Sequence, residues 1–233
     1  ENTIQNEETV HYGMIQHDSP RRVLLISGGI SGILNEILKY KTVERIDYVE
    51  LDPLVIDVGH RYINNSGIDS PRVKVANVDG RLFIKEKASG REKYDIVLLN
   101  LPDPSTVQIN RFYTLEFFEE IKDILSEKGV VSLSISSSEN YLNPEAKKLN
   151  SCIYQTLSHV FRNVIVIPGN KNYFIASDSN LGYDIANKIK EKNIETFYVN
   201  KYYLSGKLTD ERIDYVLNSI KGESSIVLNT DFK

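Results

Sequence analysis

From position 20 onward, short β-branched runs alternate with stretches whose apolar residues recur about every 3.6 positions. The runs are VLLIS (23–27), RIDYVE (45–50), VKVANV (73–78), YDIVLLN (94–100), GVVSLSI (129–135), NVIVIP (163–168) and YFIAS (173–177). Each is the length of one strand. Between the first five lie helical spacings such as Ile33-Leu34-Ile37-Leu38 and Phe117-Phe118-Ile121-Ile124-Leu125. Such alternation predicts an α/β fold, a seven-stranded, mostly parallel sheet with helices on both faces. Asp52 and Pro53 read as the cap and first-turn residue of the second helix. After residue 180 the pattern changes. Helical spacing at Tyr183–Lys192 and Asp210–Ile220 brackets a tyrosine-rich stretch with Phe197, Tyr198, Tyr202 and Tyr203. The expected organisation is 1–20 as the remnant of an N-terminal region, 21–180 as the sheet domain and 181–233 as a helical extension.

Composition narrows the partners. With 233 residues and 41% apolar content, one continuous core is attainable. The 28 basic and 32 acidic residues leave a net charge of −4 with no basic block, which argues against nucleic acid as a partner. A single cysteine, Cys152, and no zinc-type spacing point to a reducing compartment and no structural metal. The longest apolar runs, such as Val23-Leu24-Leu25-Ile26, are far shorter than the roughly 18 residues of a membrane helix. The chain begins at Glu1 without a signal-peptide pattern, so it is expected to be a piece of a longer polypeptide.

Sheets of this kind bind ligands beyond the carboxyl ends of their strands, here in the loops after Ile26, Val49, Val78 and Leu99. Ser27-Gly28-Gly29-Ile30-Ser31-Gly32 follows the first run and opens a helix; Gly28 and Gly29 permit a tight turn and close approach to a ligand. The alternative is a glycine-assisted turn without a ligand. Glu50 ends the second run, where a carboxylate can accept from both hydroxyls of a ribose. The alternative is a solvated strand-end acid, and Asp52 reads as a helix cap. Asp79 and Gly80 follow the third run, with Asp79 in position to accept from an exocyclic amine such as that of adenine; an Asp-Gly turn is the competing explanation. Together the three loops are laid out for an adenine nucleoside, so 21–180 is expected to be a Rossmann-like nucleoside-binding domain. A pyrophosphate is disfavoured because the glycines lack full dinucleotide spacing.

The fourth run ends in Asn100-Leu101-Pro102-Asp103-Pro104-Ser105, followed by Gln108, Asn110, Arg111, Phe112 and Tyr113. Asp103 is the candidate proton acceptor or cation binder there, against a plain Asp-Pro turn. Gln108 and Tyr113 stand as substrate-side candidates. The polar stretch 136–141 falls in the same region. His11, His17 and His60 have no acid or nucleophile pattern nearby, and His159 lies in a helical spacing.

The order of these motifs resembles the polyamine aminopropyltransferases, the spermidine synthase family, over about residues 1–178. The resemblance rests on HDSPRRVLLISGGISGILNEIL, VERIDYVELDPLVI, PRVKVANVDGRLFI, YDIVLLNLPDPS and RFYTLEFF. LPDPSTVQINRFYT, SSSENYLNPE and LNTDF are similar to a bacterial subgroup in which such a domain is joined to membrane-spanning segments. The resemblance implies a class I methyltransferase-type sheet and decarboxylated S-adenosylmethionine as co-substrate, without metal. Glu50 would hold its ribose and Asp79 its adenine amine. It also implies a small-molecule amine as acceptor, membrane segments outside this chain, a cytoplasmic-side, membrane-tethered location, and a homodimer.

The chain departs from the family at the reacting end. Ile30 stands where the family has an aspartate for the donor's terminal ammonium, Asn100 where it has its catalytic aspartate, and Gln5 where a tyrosine helps build the substrate site. Aminopropyl transfer needs a neutral amine, and an amide cannot take the proton from an ammonium whose pKa is near 10. Asp103 is the carboxylate retained on the acceptor side. Three activities follow: aminopropyl transfer, methyl transfer from S-adenosylmethionine, and nucleoside or polyamine sensing without catalysis, with methylthioadenosine among the ligands.

Overall fold

The computed structural model describes residues 3–63, 67–137, 143–221 and 227–232. In chain order the elements are α1 (Thr3–Met14), β1 (Arg22–Ile26), α2 (Ile33–Leu38), β2 (Arg45–Val49), α3 (Pro53–Tyr62), β3 (Val73–Ala76), α4 (Gly80–Ala88), β4 (Tyr94–Leu99), α5 (Val107–Asn110), α6 (Leu115–Ile124), β5 (Leu125–Ser136), α7 (Pro144–Val160), β6 (Asn163–Ile167), β7 (Lys171–Ser177), α8 (Ile185–Glu191), α9 (Lys201–Lys207) and α10 (Asp210–Lys221). The strands form one sheet in the order β3-β2-β1-β4-β5-β7-β6. The first five are parallel, and β7 runs antiparallel to β5 and β6.

All seven predicted strands are present. β5 starts at Leu125 rather than 129, because Leu125 already pairs with Tyr94 before an irregularity resets the register to Ile96 opposite Val130. Asp52 caps α3 as expected, accepting from the Leu54 N–H at 2.9 Å, with Pro53 in the first turn. Parallel strands are hydrophobic on both faces, so the sheet carries two cores. One holds Leu25, Ile37, Tyr48 and Ile96 under α1, α2 and α8, and the other holds Leu24, Phe117, Phe118 and Ile153 under α4, α6 and α7. Burying each phenylalanine contributes about 1.5–3 kcal/mol.

α1 lies within 1–20, and its sequence shows no apolar stripe because its buried side chains are largely polar. Those groups are stable there only with partners. Glu7, fully buried, accepts from the backbone N–H groups of Phe197, Tyr198 and Val199 at 2.6–2.8 Å. Glu8 accepts from the Tyr173 and Tyr203 hydroxyls. His11 lies between the Tyr40 hydroxyl and Glu36, each at 2.9 Å. Packing crosses both expected boundaries: Ile185, Val199 and Leu204 join the first core, and Val216 and Ile220 of α10 join the second. α9 forms where the sequence shows only clustered tyrosines, capped by Asn200.

β1 lies between β2 and β4, and the chain leaves these strands toward opposite faces of the sheet. A crevice is expected at that switch point. Among the described residues, no helix is long and apolar enough to cross a membrane.

Candidate functional site

The crevice is a cavity of about 730 Å³ beyond the carboxyl ends of β1, β2, β3 and β4, a size typical of small-molecule sites. Ser27, Glu50, Asp79, Gly80 and Gln108 line it, together with Arg111. All four loops predicted at the strand ends therefore converge.

Glu50 is 7% exposed and fixed from several sides. Its Oε2 accepts from the Ser27 hydroxyl at 3.1 Å, the Tyr48 hydroxyl at 3.1 Å and the Gly28 N–H at 3.3 Å; Oε1 accepts from the Leu51 N–H at 3.1 Å. Burial, then the neighbouring Glu50 charge, pushes the Tyr48 phenol up, so it remains a donor. Tyr48 and Glu50 share one side of the strand by two-residue alternation, the sequence signal that marks Tyr48 as a partner of Glu50.

The glycine loop is shaped by its neighbours. Gly28 has φ +73°, and a Cβ there would fall on the Asn100 side-chain nitrogen. A Cβ on Gly29 would sit 2.7–2.9 Å from ring carbons of Tyr48. Gly28 and Gly29 thus support the floor of the cavity without lining it. Ser27 adopts φ +66°, a strained left-handed conformation for a residue other than glycine, and its hydroxyl and the next N–H both donate to Glu50.

Asp79 is engaged on both oxygens. Oδ1 caps α4 through the Arg81 and Leu82 N–H groups at 3.1 Å, and Oδ2 pairs with Arg111. The cap and the cavity-lining position coexist, so the Asp-Gly turn and the ligand-facing acid are not exclusive. Arg111 lies over the Phe112 ring at 4.7 Å and donates through Nε to the Gln108 carbonyl. Sequence reasoning gave Arg111 no role, because its acid lies 32 residues earlier.

The residues expected at the reacting end each make separate contacts. Asp103 Oδ1 accepts from the Ser136 N–H at 3.0 Å, tying the loop after β4 to the end of β5. Asn100 lies against Gly28, and Ile30 packs on Gly59 of α3. Gln5 is part-buried near the start of α1. None of these four lines the cavity. Tyr113, expected to face substrate, is fully buried and donates its hydroxyl to the Pro102 carbonyl at 2.9 Å, so it shapes the loop instead. Residues 138–141 of the polar stretch after β5 lie outside the described residues. Three histidines do have acids beside them in space, His11 with Glu36, His17 with Asp95 and His60 with Asp69, all outside the cavity. Among the described residues no metal-type cluster is formed.

The sheet order and the cavity at its switch point define the Rossmann-like, methyltransferase-type α/β proteins. A spermidine synthase structure in complex with the transition-state analogue AdoDATO superimposes with TM-score 0.76 at 25% identity, covering 93% of this chain and 76% of the other. Human methyltransferase-like protein 13 in complex with SAH shares the fold at TM-score 0.63 and 20% identity, over 88% of this chain and 97% of that one. Residues 2–180 match the spermine/spermidine synthase domain, and the chain belongs to that family. Among curated relatives, the polyamine aminopropyltransferase of Sulfurisphaera tokodaii is 33% identical over 229 residues, 97% of this chain and 70% of the relative.

Proposed function

We propose that this chain is a transferase-type domain that binds an S-adenosyl nucleoside, with aminopropyl transfer to an amine as its family reaction. The observation that carries the nucleoside half is Glu50, a strand-end carboxylate held by Ser27, Tyr48 and Leu51 at the edge of the cavity that Asp79 also lines. Oε1, which takes one bond from the Leu51 N–H, keeps a lone pair for a ribose hydroxyl. The apolar lining from Val49, Val78, Leu101 and Phe112 suits a purine face.

In the family reaction the amine nitrogen attacks the carbon beside the donor sulfonium. The carbon–sulfur bond breaks toward sulfur, releasing methylthioadenosine, and a proton must leave the nitrogen. Asn100 cannot take it, and Asp103 is the carboxylate left in that region. Ile30, packed on Gly59, offers no charge to a donor ammonium. That observation favours a second reading, in which ordinary S-adenosylmethionine binds as well, for methyl transfer or for sensing. The likeness of LPDPSTVQINRFYT and LNTDF to the membrane-joined subgroup supports a tether on the cytoplasmic side; a parent reading frame without long apolar segments would remove it.

Calorimetric titration with methylthioadenosine and with both forms of S-adenosylmethionine tests the nucleoside site. Binding is expected, and Glu50→Ala should weaken it by about 1.5–3 kcal/mol, the scale of charge-assisted hydrogen bonds. No binding of any adenosyl compound at millimolar concentration would refute the proposal.

A further inference from the structure

Residues 227–232 lie far along the chain from the cavity and contribute nothing to its lining. They nevertheless grip the segment that forms one wall. Asn229 and Asn110 exchange side-chain amide hydrogen bonds at 2.9 and 3.2 Å. Asn229 also donates to the Tyr113 carbonyl at 3.0 Å, and its own carbonyl accepts from the Leu115 N–H at 2.7 Å. The wall residues Arg111 and Phe112 sit between those two anchored points.

Asp231 secures the other side. It accepts both terminal nitrogens of Arg81 at 2.8 Å, with the Thr114 hydroxyl at 2.7 Å. Arg81 is 8% exposed and follows Asp79 and Gly80 at the start of α4. The same guanidinium donates to Glu120 through two nitrogens at 2.8 Å and to the Arg111 carbonyl at 3.2 Å. One buried arginine therefore joins the loop carrying Asp79 to the loop carrying Arg111, and Asp231 fixes that arginine. Paired bidentate contacts of this kind fix orientation as well as distance.

We infer that residues 227–232 are a strap that sets the cavity wall, with Asn229 and Asp231 as positioning residues for the nucleoside site. The inference rests on the nucleoside reading of the cavity for its ligand, and on the hydrogen bonds alone for its mechanics. Neither residue touches the ligand space. Each acts through Arg81 or Asn110 on the placement of Arg111, Phe112 and Asp79.

The test compares wild type with Asn229→Ala, Asp231→Asn and Asp231→Glu at a temperature where circular dichroism shows each fully folded. Methylthioadenosine affinity is read by calorimetry, and backbone hydrogen exchange over residues 107–114 is read without ligand. Asn229→Ala and Asp231→Asn should weaken binding roughly 3- to 30-fold and speed exchange over 107–114, while Asp231→Glu restores part of both. If either Asp231 variant fails to fold, Asn110→Ala, which removes only the side-chain pair with Asn229, takes its place. Wild-type affinity in the variants, or unchanged exchange, overturns the strap. If wild type itself binds no methylthioadenosine, the nucleoside reading fails and exchange over 107–114 alone decides the strap, faster exchange supporting it and unchanged exchange overturning it.

Discussion

The Glu7 carboxylate accepts the Val199 N–H at 2.8 Å, joining the first helix to a segment 192 positions later. The two neighbouring N–H groups, of Phe197 and Tyr198, converge on the same side chain. Replacing Glu7 by alanine leaves the buried Val199 N–H and the part-buried Phe197 and Tyr198 N–H groups without their acceptor, at about 1–3 kcal/mol for each group that water does not reach. Urea denaturation should therefore show Glu7→Ala destabilised by roughly 2–4 kcal/mol. A midpoint equal to wild type would mean that the segment 194–200 does not hold its place through Glu7.

Gly29→Ala should disturb the site through Tyr48. The added methyl meets the ring at 2.7–2.9 Å, and overpacking of this kind costs about 1–3 kcal/mol. Because the Tyr48 hydroxyl holds Glu50, nucleoside affinity should fall together with stability. Tyr48→Phe, which keeps the ring and removes only the hydroxyl, should lower affinity with a smaller change in melting temperature. Unaltered affinity in both variants would separate Glu50 from its tyrosine support.

Aminopropyl transfer to putrescine should be very slow in the unmodified chain. Asn100→Asp combined with Ile30→Asp should raise it, since general-base assistance is typically worth about 10²- to 10⁴-fold. Methylthioadenosine release, followed by chromatography, reads the outcome. Rapid turnover by wild type would assign the base to Asp103 or to another group.

Acid should loosen the molecule at identified carboxyls. Arg81 holds Asp231 below the usual carboxylate range, with Thr114 assisting. Burial alone would raise Glu36 and Asp178, but His11 and Lys39 outweigh it for Glu36, and Lys122 with the Arg162 N–H for Asp178, so both are lowered. A depressed folded-state pKa gives stability that is present above the ordinary values of about 3.9 and 4.3 and is lost as pH falls through the depressed ones. Urea midpoints should hold at mildly acidic pH and drop below about pH 4. Asp231→Asn should be less stable at neutral pH and show a shallower acid decline; an acid decline as steep as wild type would rule Asp231 out as a contributor.

The sheet was legible in the sequence because parallel strands, buried on both faces, must be apolar runs, and their helices must show a 3.6-residue stripe. The strand-end acids Glu50 and Asp79 were legible for the same reason: once the runs are set, the loop positions follow. α1 was not legible, since Glu7, Glu8 and His11 look solvent-facing until Phe197–Val199, Tyr173, Tyr203, Tyr40 and Glu36 are brought to them. The tertiary structure alone decided that Asp79 shares its carboxylate between a helix cap and Arg111, that Tyr113 turns inward, and that Asn229 and Asp231 brace the cavity wall. Periodicity reports which face of an element is buried. It carries nothing about which distant polar group will satisfy a buried one, and in this protein those long-range hydrogen bonds shape the site.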